Sequence, residues 1–235
     1  MNRVTFSVVL VLLFSLILGC SDSTEEKPEC NDFLLQELKS AADAGVIEAQ
    51  NTLGYHYEYG ECVSRNFKEA AKWYQLAADQ GNTNAQKVLG FMYAGGMGVS
   101  QNTAQAIKWF RLAAEKGQPE AQFGLAIAYF RGNGIERNQK IAIQWFQKSA
   151  QQDFPRSQFN LGNLYKTGQG VPQNYIKAYK WFGLAARNGY KKATKAIENL
   201  EKSMTPEAIE AANQLIAEWP LAKNDQSWLN TTTLD

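Results

Sequence analysis

Glu58 and Glu61 are two carboxylates three residues apart, a spacing that could serve acid–base chemistry. They flank a turn, which predicts that each is solvated rather than poised. His56 is the single histidine of the 235-residue chain. One imidazole excludes a metal centre built on several histidines and any triad needing a second ring. Its column in the pattern described below also holds Met92, Ala128 and Leu164, so a packed side chain is expected. The thiols are Cys20, Cys30 and Cys62. Phosphate-binding loops, dinucleotide fingerprints, nucleophile elbows and clustered metal ligands do not occur in the sequence. No cofactor, metal or catalytic residue is expected.

One further motif has a catalytic ring to it. Lys166-Thr167-Gly168 spells a triplet used by penicillin-recognising serine enzymes. Those enzymes also need an S-x-x-K partner, and the chain has none. Lys166 and Thr167 occupy the places of Ala94-Gly95 and Phe130-Arg131, between a recurring tyrosine and a recurring glycine. A repeat therefore explains the triplet without enzymology.

That repeat positions every other residue of interest. Ala49, Ala85 and Ala121 are 36 residues apart, and Ser157 and Ala193 continue the series. Leu53, Leu89, Leu125 and Leu161 keep the step, as do Tyr57, Tyr93, Tyr129 and Tyr165. Gly60, Gly96, Gly132 and Gly168 follow, then Trp73, Trp109, Trp145 and Trp181, each preceding an aromatic residue. Ala49, Leu53 and Tyr57 form one helical stripe; Ala70, Trp73, Tyr74 and Ala77 form a second. Glycine-bearing loops (GMGV, GNGI, GQGV, and GECV in the first copy) turn the chain between them. A single helix pair cannot bury its apolar face alone, so the units must stack.

The pattern A-Q-x-x-L-G-x-x-Y-x-x-G-x-G-V, then A-x-x-W-[FY]-x-x-A-A-x-x-G, resembles the Sel-1-like repeat, a branch of the tetratricopeptide superfamily. Four copies cover residues 49 to 189, about 49–84, 85–120, 121–156 and 157–192. The departures are Cys62 and Ala126 in place of glycines, and Asp153 in place of the glycine that ends a second helix. Half copies flank the array within 31–202. The resemblance implies an all-α, right-handed α-solenoid of helix pairs. Thr205 as cap, Pro206 in the first turn and the stripe Ile209, Ala212, Ile216, Trp219 predict a C-terminal capping helix in 203–219. The tail 220–235 is polar and expected to hold little order.

The N-terminus reads as an address. Arg3 precedes fifteen residues, Val4 to Leu18, broken only by Thr5, Ser7 and Ser15. That length is short for a membrane span and suits a signal-peptide core. Ile17-Leu18-Gly19-Cys20 resembles a bacterial lipobox, with Leu18 bulkier than usual. The resemblance implies a signal peptide over 1–19, acylation of Cys20, and a membrane contact through that anchor. Residues 20–30 read as a flexible, acidic tether. Ser21 rather than Asp after the cysteine implies, by the enteric sorting rule, the outer membrane, facing the periplasm. In such a compartment the remaining pair, Cys30 and Cys62, is expected to form a disulfide. By repeat count Cys30 stands where Asn66 and its equivalents start second helices, and Cys62 lies in the next turn.

In related solenoids the first helix of each unit lines the concave face. Positions varying between copies on that face are Asn51, Tyr55 and Glu58; Lys87, Phe91 and Ala94; Phe123, Ile127 and Phe130; Phe159, Asn163 and Lys166. Their aromatic and aliphatic middle suggests a groove for a protein or peptide. Charge is uneven: Asp22 to Glu61 carry ten acids against Lys27 and Lys39, while Lys177 to Lys202 carry seven bases against Glu198 and Glu201. The formal net charge of +1 argues against a nucleic-acid partner. The family resemblance implies a non-enzymatic adaptor that binds a protein. Immunity towards a periplasmic toxin such as a phospholipase, and binding of peptidoglycan or exported polysaccharide, are the alternatives. A β-lactamase-like hydrolase lacks the residues.

Overall fold

The computed structural model describes residues 31–220. The signal segment, Cys20, the tether, Cys30 and the tail beyond Pro220 lie outside them. Among the described residues every regular element is helical: α1 (Asp32–Asp43), α2 (Ile47–Tyr59), α3 (Phe67–Asp79), α4 (Thr83–Gly95), α5 (Thr103–Glu115), α6 (Pro119–Arg131), α7 (Gln139–Ala150), α8 (Pro155–Thr167), α9 (Tyr175–Arg187), α10 (Lys191–Glu201) and α11 (Pro206–Ala217). Each packs mainly on its neighbours in sequence, the pattern of a solenoid of helix pairs.

Local chemistry sets the helix ends. Asn66, Asn102, Asn138 and Asn174 cap α3, α5, α7 and α9 by accepting backbone N–H bonds through their side chains. The first helices α2, α4, α6 and α8 end on Gly60, Gly96, Gly132 and Gly168, all left-handed. Asn31, not Cys30, caps α1, accepting from the Phe33 N–H at 2.9 Å. The repeat count had placed Cys30 in the capping slot; a thiol is a poor acceptor, so the role falls to the asparagine beside it.

The second glycine of each loop is pressed onto the unit before it. A side chain on Gly98 would collide with the Phe67 carbonyl, and one on Gly134 would come within 2.7 Å of Thr103. One on Gly170 would come within 2.8 Å of Ile143 and 3.5 Å of Gln139. Cys62 occupies the same place in the first loop, with φ of 59° where the glycines have about 70°.

In three of the four units a helical glycine makes room for an aromatic ring, and Ala126 takes that place in the third. Gly54 faces Tyr74, Gly90 faces Phe110 and Gly162 faces Phe182, with no space for a methyl group in between. The alanine columns are fully buried, including Ala70, Ala106, Ala142 and Ala178. A row of buried glutamines ties the units together. Gln50, Gln86, Gln122 and Gln158 donate to the carbonyls of Ala42, Ala78, Ala114 and Ala150, at 3.1 to 3.2 Å. Each bond fastens a first helix to the end of the preceding second helix, satisfying a carbonyl that the helix leaves open.

The C-terminal cap docks on α9. Gly183 stands where the earlier units have Gln75, Arg111 and Gln147, and Ile216 of α11 packs directly over it. The Trp219 indole donates to Asp153 Oδ1 at 3.0 Å. Asp153 also accepts from Gln158 at 3.0 Å, and from Asn188 through its backbone carbonyl at 3.2 Å. Asp153 has φ of 60° and is buried. Asp153 thus stands in place of a helix-ending glycine at the end of the third unit, and the cap, docked on the fourth, reaches back to its carboxylate.

Candidate protein-binding face

The four first helices α2, α4, α6 and α8 form one row, and α4 and α6 touch directly. Among the described residues no two second helices of neighbouring regular units pack as closely. The α4–α6 pair puts first helices on the inner side of the array, and side-chain bridges carry the row on to α2 and to the start of α8. The positions singled out from sequence lie along this row in three columns, with distinct roles.

The first column links units. Asn84 donates to Asn51 at 3.1 Å across α2 and α4. Lys87 lies 3.8 Å from Glu120 across α4 and α6, with both side chains about six-sevenths buried (15% and 13% exposed). The Phe123 ring meets Phe154 at 5.5 Å and Phe146 at 6.0 Å. The Phe159 ring meets Tyr190 at 5.0 Å and Phe182 at 5.3 Å. One polar, one ionic and two aromatic bridges thus hold the same slot in successive units.

The middle and outer columns give a groove less apolar than the sequence suggests. Phe91 is half-buried, its ring 4.9 Å from Phe110, edge to face. Phe130 packs against Phe146 at 6.4 Å, and Ile127 joins the same cluster. Asn163 and Lys166 are half-exposed and Ala94 is exposed. Of the groove's aromatic residues only Tyr55 is prominently exposed, at 41%. The phenylalanines are shared between the floor of the face and the core beneath it. Pattern alone cannot reveal this, because their partners are rings of other helices.

Tyr55 belongs to a cluster at the first unit. Its ring lies 4.5 Å from that of Tyr59, which is 51% exposed. The Tyr55 hydroxyl donates to Glu61 at 3.2 Å, and the Tyr74 hydroxyl donates to Glu58 at 2.7 Å. Burial pushes the Glu58 carboxyl above its ordinary value, against the opposing pull of the Tyr74 bond and of Lys87. Burial and then the carboxylates raise the Tyr55 and Tyr59 phenols as well. Tyr59 was not among the sequence candidates. Its column reads Gly95, Arg131 and Thr167 elsewhere, and that variation was the available signal.

The other sequence candidates for chemistry are structural. The Thr167 hydroxyl donates to Asn163 O, one turn back in α8, at 2.8 Å. The Lys166 carbonyl accepts from Gln173. The triplet is a helix end, closed by left-handed Gly168. His56 Nδ1 lies 3.0 Å from the Glu61 carbonyl and ties α2 to its loop. Cys62 is disulfide-bonded, and its partner falls outside the described residues.

Stacked helix pairs with short glycine turns and a continuous inner row define a tetratricopeptide-like repeat protein. Residues 47–82, 83–118, 119–154 and 155–190 match the Sel1 repeat model, and the chain belongs to that family. Those bounds start at the first residue of each first helix, two residues before the alanine column. The fold resembles a protective antigen of uropathogenic Escherichia coli with a TM-score of 0.76 at 30% identity, over 86% of this chain and 44% of that one. It resembles a Sel1 repeat protein of Oxalobacter formigenes with a TM-score of 0.70 at 29% identity, over 83% and 78%. An immunity protein of Pseudomonas aeruginosa shares the fold, with a TM-score of 0.55 at 18% identity, over 97% and 88%. A yeast (Saccharomyces cerevisiae) chitin synthase regulator is 41% identical over 71 residues, 30% of this chain and 10% of the regulator. The chain thus spans a tenth of that relative and under half of the Escherichia coli antigen. Sel1 repeats typically mediate protein–protein interaction, and the family is generally non-catalytic.

Proposed function

We propose that this protein is a non-enzymatic adaptor that holds a protein partner on the inner face of its repeats. The observation that carries the reading is the continuity of that face. Four first helices present differing side chains, while asparagine, ion-pair and aromatic bridges fix each helix to the next. A pre-organised surface loses little freedom on binding. A photo-crosslinking residue placed at Ala94 or Asn163 should give adducts with a partner in cells. The same residue at exposed Lys108 or Gln144, on second helices, should not. Equal capture from both sides would reject the reading. Phe91→Ala and Phe123→Ala are poor probes, because both rings also pack the core.

In this proposal Cys20 carries the lipid, and the array faces the periplasm on a tether, most simply from the outer membrane. Cys20→Ala should release the protein from membrane fractions. The Cys62 bond is assigned to Cys30. In the other loops the residue at the Cys62 place backs onto the residue 31 positions earlier, as Gly98 does on Phe67. For Cys62 that residue is Asn31, the neighbour of Cys30. Labelling of the denatured, unreduced protein should find neither of these two thiols reactive.

A second reading, immunity to a periplasmic toxin, is favoured by the near end-to-end match with the Pseudomonas immunity fold. It requires a cognate toxin whose effect the chain suppresses. Sensitivity to that toxin on deletion of the gene would select it.

A further inference from the structure

We propose that the first-unit end of the inner face, built by Tyr55, Glu58, Tyr59 and Glu61, receives a lysine- or arginine-bearing segment of the partner. The inference rests on the reading that a protein docks on the inner face, and it names the chemistry of that contact.

Three observations support it. First, this is where the face exposes aromatic surface. Tyr55 and Tyr59 stack at 4.5 Å and stand 41% and 51% exposed, whereas Phe91, Phe123, Phe130 and Phe159 are half-buried against other rings. Exposed rings beside carboxylates suit a cation, which the ring quadrupole and the acid attract together. Second, the carboxylates are held but not neutralised. Tyr74 fixes Glu58 and Tyr55 fixes Glu61. Among the described residues neither acid has an ion pair, and Lys87, the cation that acts on Glu58, is paired with Glu120. Third, the first two helices are acidic, and Arg65, the cation packed against Gly60 in the loop, lies over the Phe67 ring and has no ion pair with either acid among the described residues. From Asn31 to Glu61 the chain carries Asp32, Glu37, Asp43, Glu48, Glu58 and Glu61 against Lys39 alone. Such a field draws a basic segment to the site and disfavours an acidic one.

The two tyrosine rings stand open to solvent, so a lone ammonium or guanidinium would be held weakly. Tight binding needs the rest of a polypeptide along α4, α6 and α8. That requirement commits the occupant to a protein segment rather than a free amine. The planar guanidinium of arginine fits best, since it can stack on one tyrosine while donating to a carboxylate.

Phage-displayed random peptides selected on the full chain carrying Cys20→Ala provide the test. Enriched sequences should carry arginine or lysine. Their synthetic forms should bind at least tenfold more weakly to the Glu58→Gln, Glu61→Gln double variant, and to the Tyr55→Leu, Tyr59→Leu double variant. Affinity should also fall as salt is raised. Replacing the peptide's basic residue by glutamine should cost as much, and the two losses should not add. Matching circular dichroism melts establish that the variants are folded. Peptides that crosslink at Asn163 or Ala94 but lack basic residues, or ignore the acid and tyrosine changes, overturn the cation site and leave the adaptor reading standing. Enriched peptides that never crosslink to the inner face overturn both.

Discussion

Single side chains in this array are best understood against their counterparts 36 residues away. The buried glutamines accept through Oε1 from Gln80, Gln152 and Asn188 in three units. In the second unit the donor's place is taken by Lys116, which reaches Gly81 O instead, and Gln86 Oε1 is left buried without a partner. Lys116→Gln should supply that donor and raise the midpoint of urea unfolding, by about 0.5–1.5 kcal/mol of stability. Ser149 and Ser157 both replace alanines; Ser157 donates to Ser149, which donates to Pro119 O, each at 2.7 Å. Ser149→Ala strands the other hydroxyl and should cost roughly 1–3 kcal/mol, much of it recovered in the Ser149→Ala, Ser157→Ala pair. Glu58 carries a pH signature. Its raised folded pKa means that ionisation opposes folding near neutral pH, and that the opposition fades as pH falls through that pKa. Glu58→Gln keeps an acceptor for Tyr74, so melts should show it more stable than the parent at about pH 7 and the gap closing towards about pH 4. The same substitution is expected to weaken partner binding, the usual opposition of stability and function at a binding site.

At the level of elements, much was legible because each helix repeats one recipe. The alanine, leucine, tyrosine and tryptophan columns gave the number and order of the regular helices, and Thr205-Pro206 marked the start of α11. Legibility ended where one element answers another far along the chain. Asp153 looked like an exception to a glycine rule, yet it is the acceptor for Trp219, 66 residues on. Gly183 carried no signal until Ile216 was found above it. Cys62 likewise departs from the glycine column while keeping its left-handed backbone, with φ of 59°. Such pairs have no periodicity, so no column displays them. Docking of α11 offers a direct test. Gly183→Gln restores the residue type of Gln75 and Gln147 but drives a side chain into Ile216. Overpacking should cost about 1–3 kcal/mol and free α11. Limited proteolysis between α10 and α11 should then outpace cleavage elsewhere, and Trp219 should become accessible to a fluorescence quencher.

The whole molecule behaves as a one-dimensional stack, which sets how damage at one end spreads. Each unit touches its neighbours and little else, so stability is the sum of unit terms and interfaces, and a lost interface is felt first by the unit that owned it. Termination after Ser203 removes α11 from α9 and exposes the apolar edge formed by Tyr179, Phe182 and Leu200. It also strips Asp153 of its indole donor and Arg187 of its carbonyl acceptors on Ile216 and Trp219. Amide exchange in α9 and α10 should therefore accelerate sharply, with a smaller effect at α8 through Asp153 and Gln158. Exchange in α2 to α5, two units away, should stay within about twofold of the parent, since local openings couple only to adjoining structure. A uniform loss of protection would instead show that the array folds as one cooperative block. The distinction bears on binding, because the acid and tyrosine cluster sits at the opposite end from the cap. If the stack is local, the truncated protein keeps its affinity for basic peptides at the first unit while its last unit frays. The face would then work as a set of separable contacts, each unit contributing the side chains that its own copy of the repeat varies.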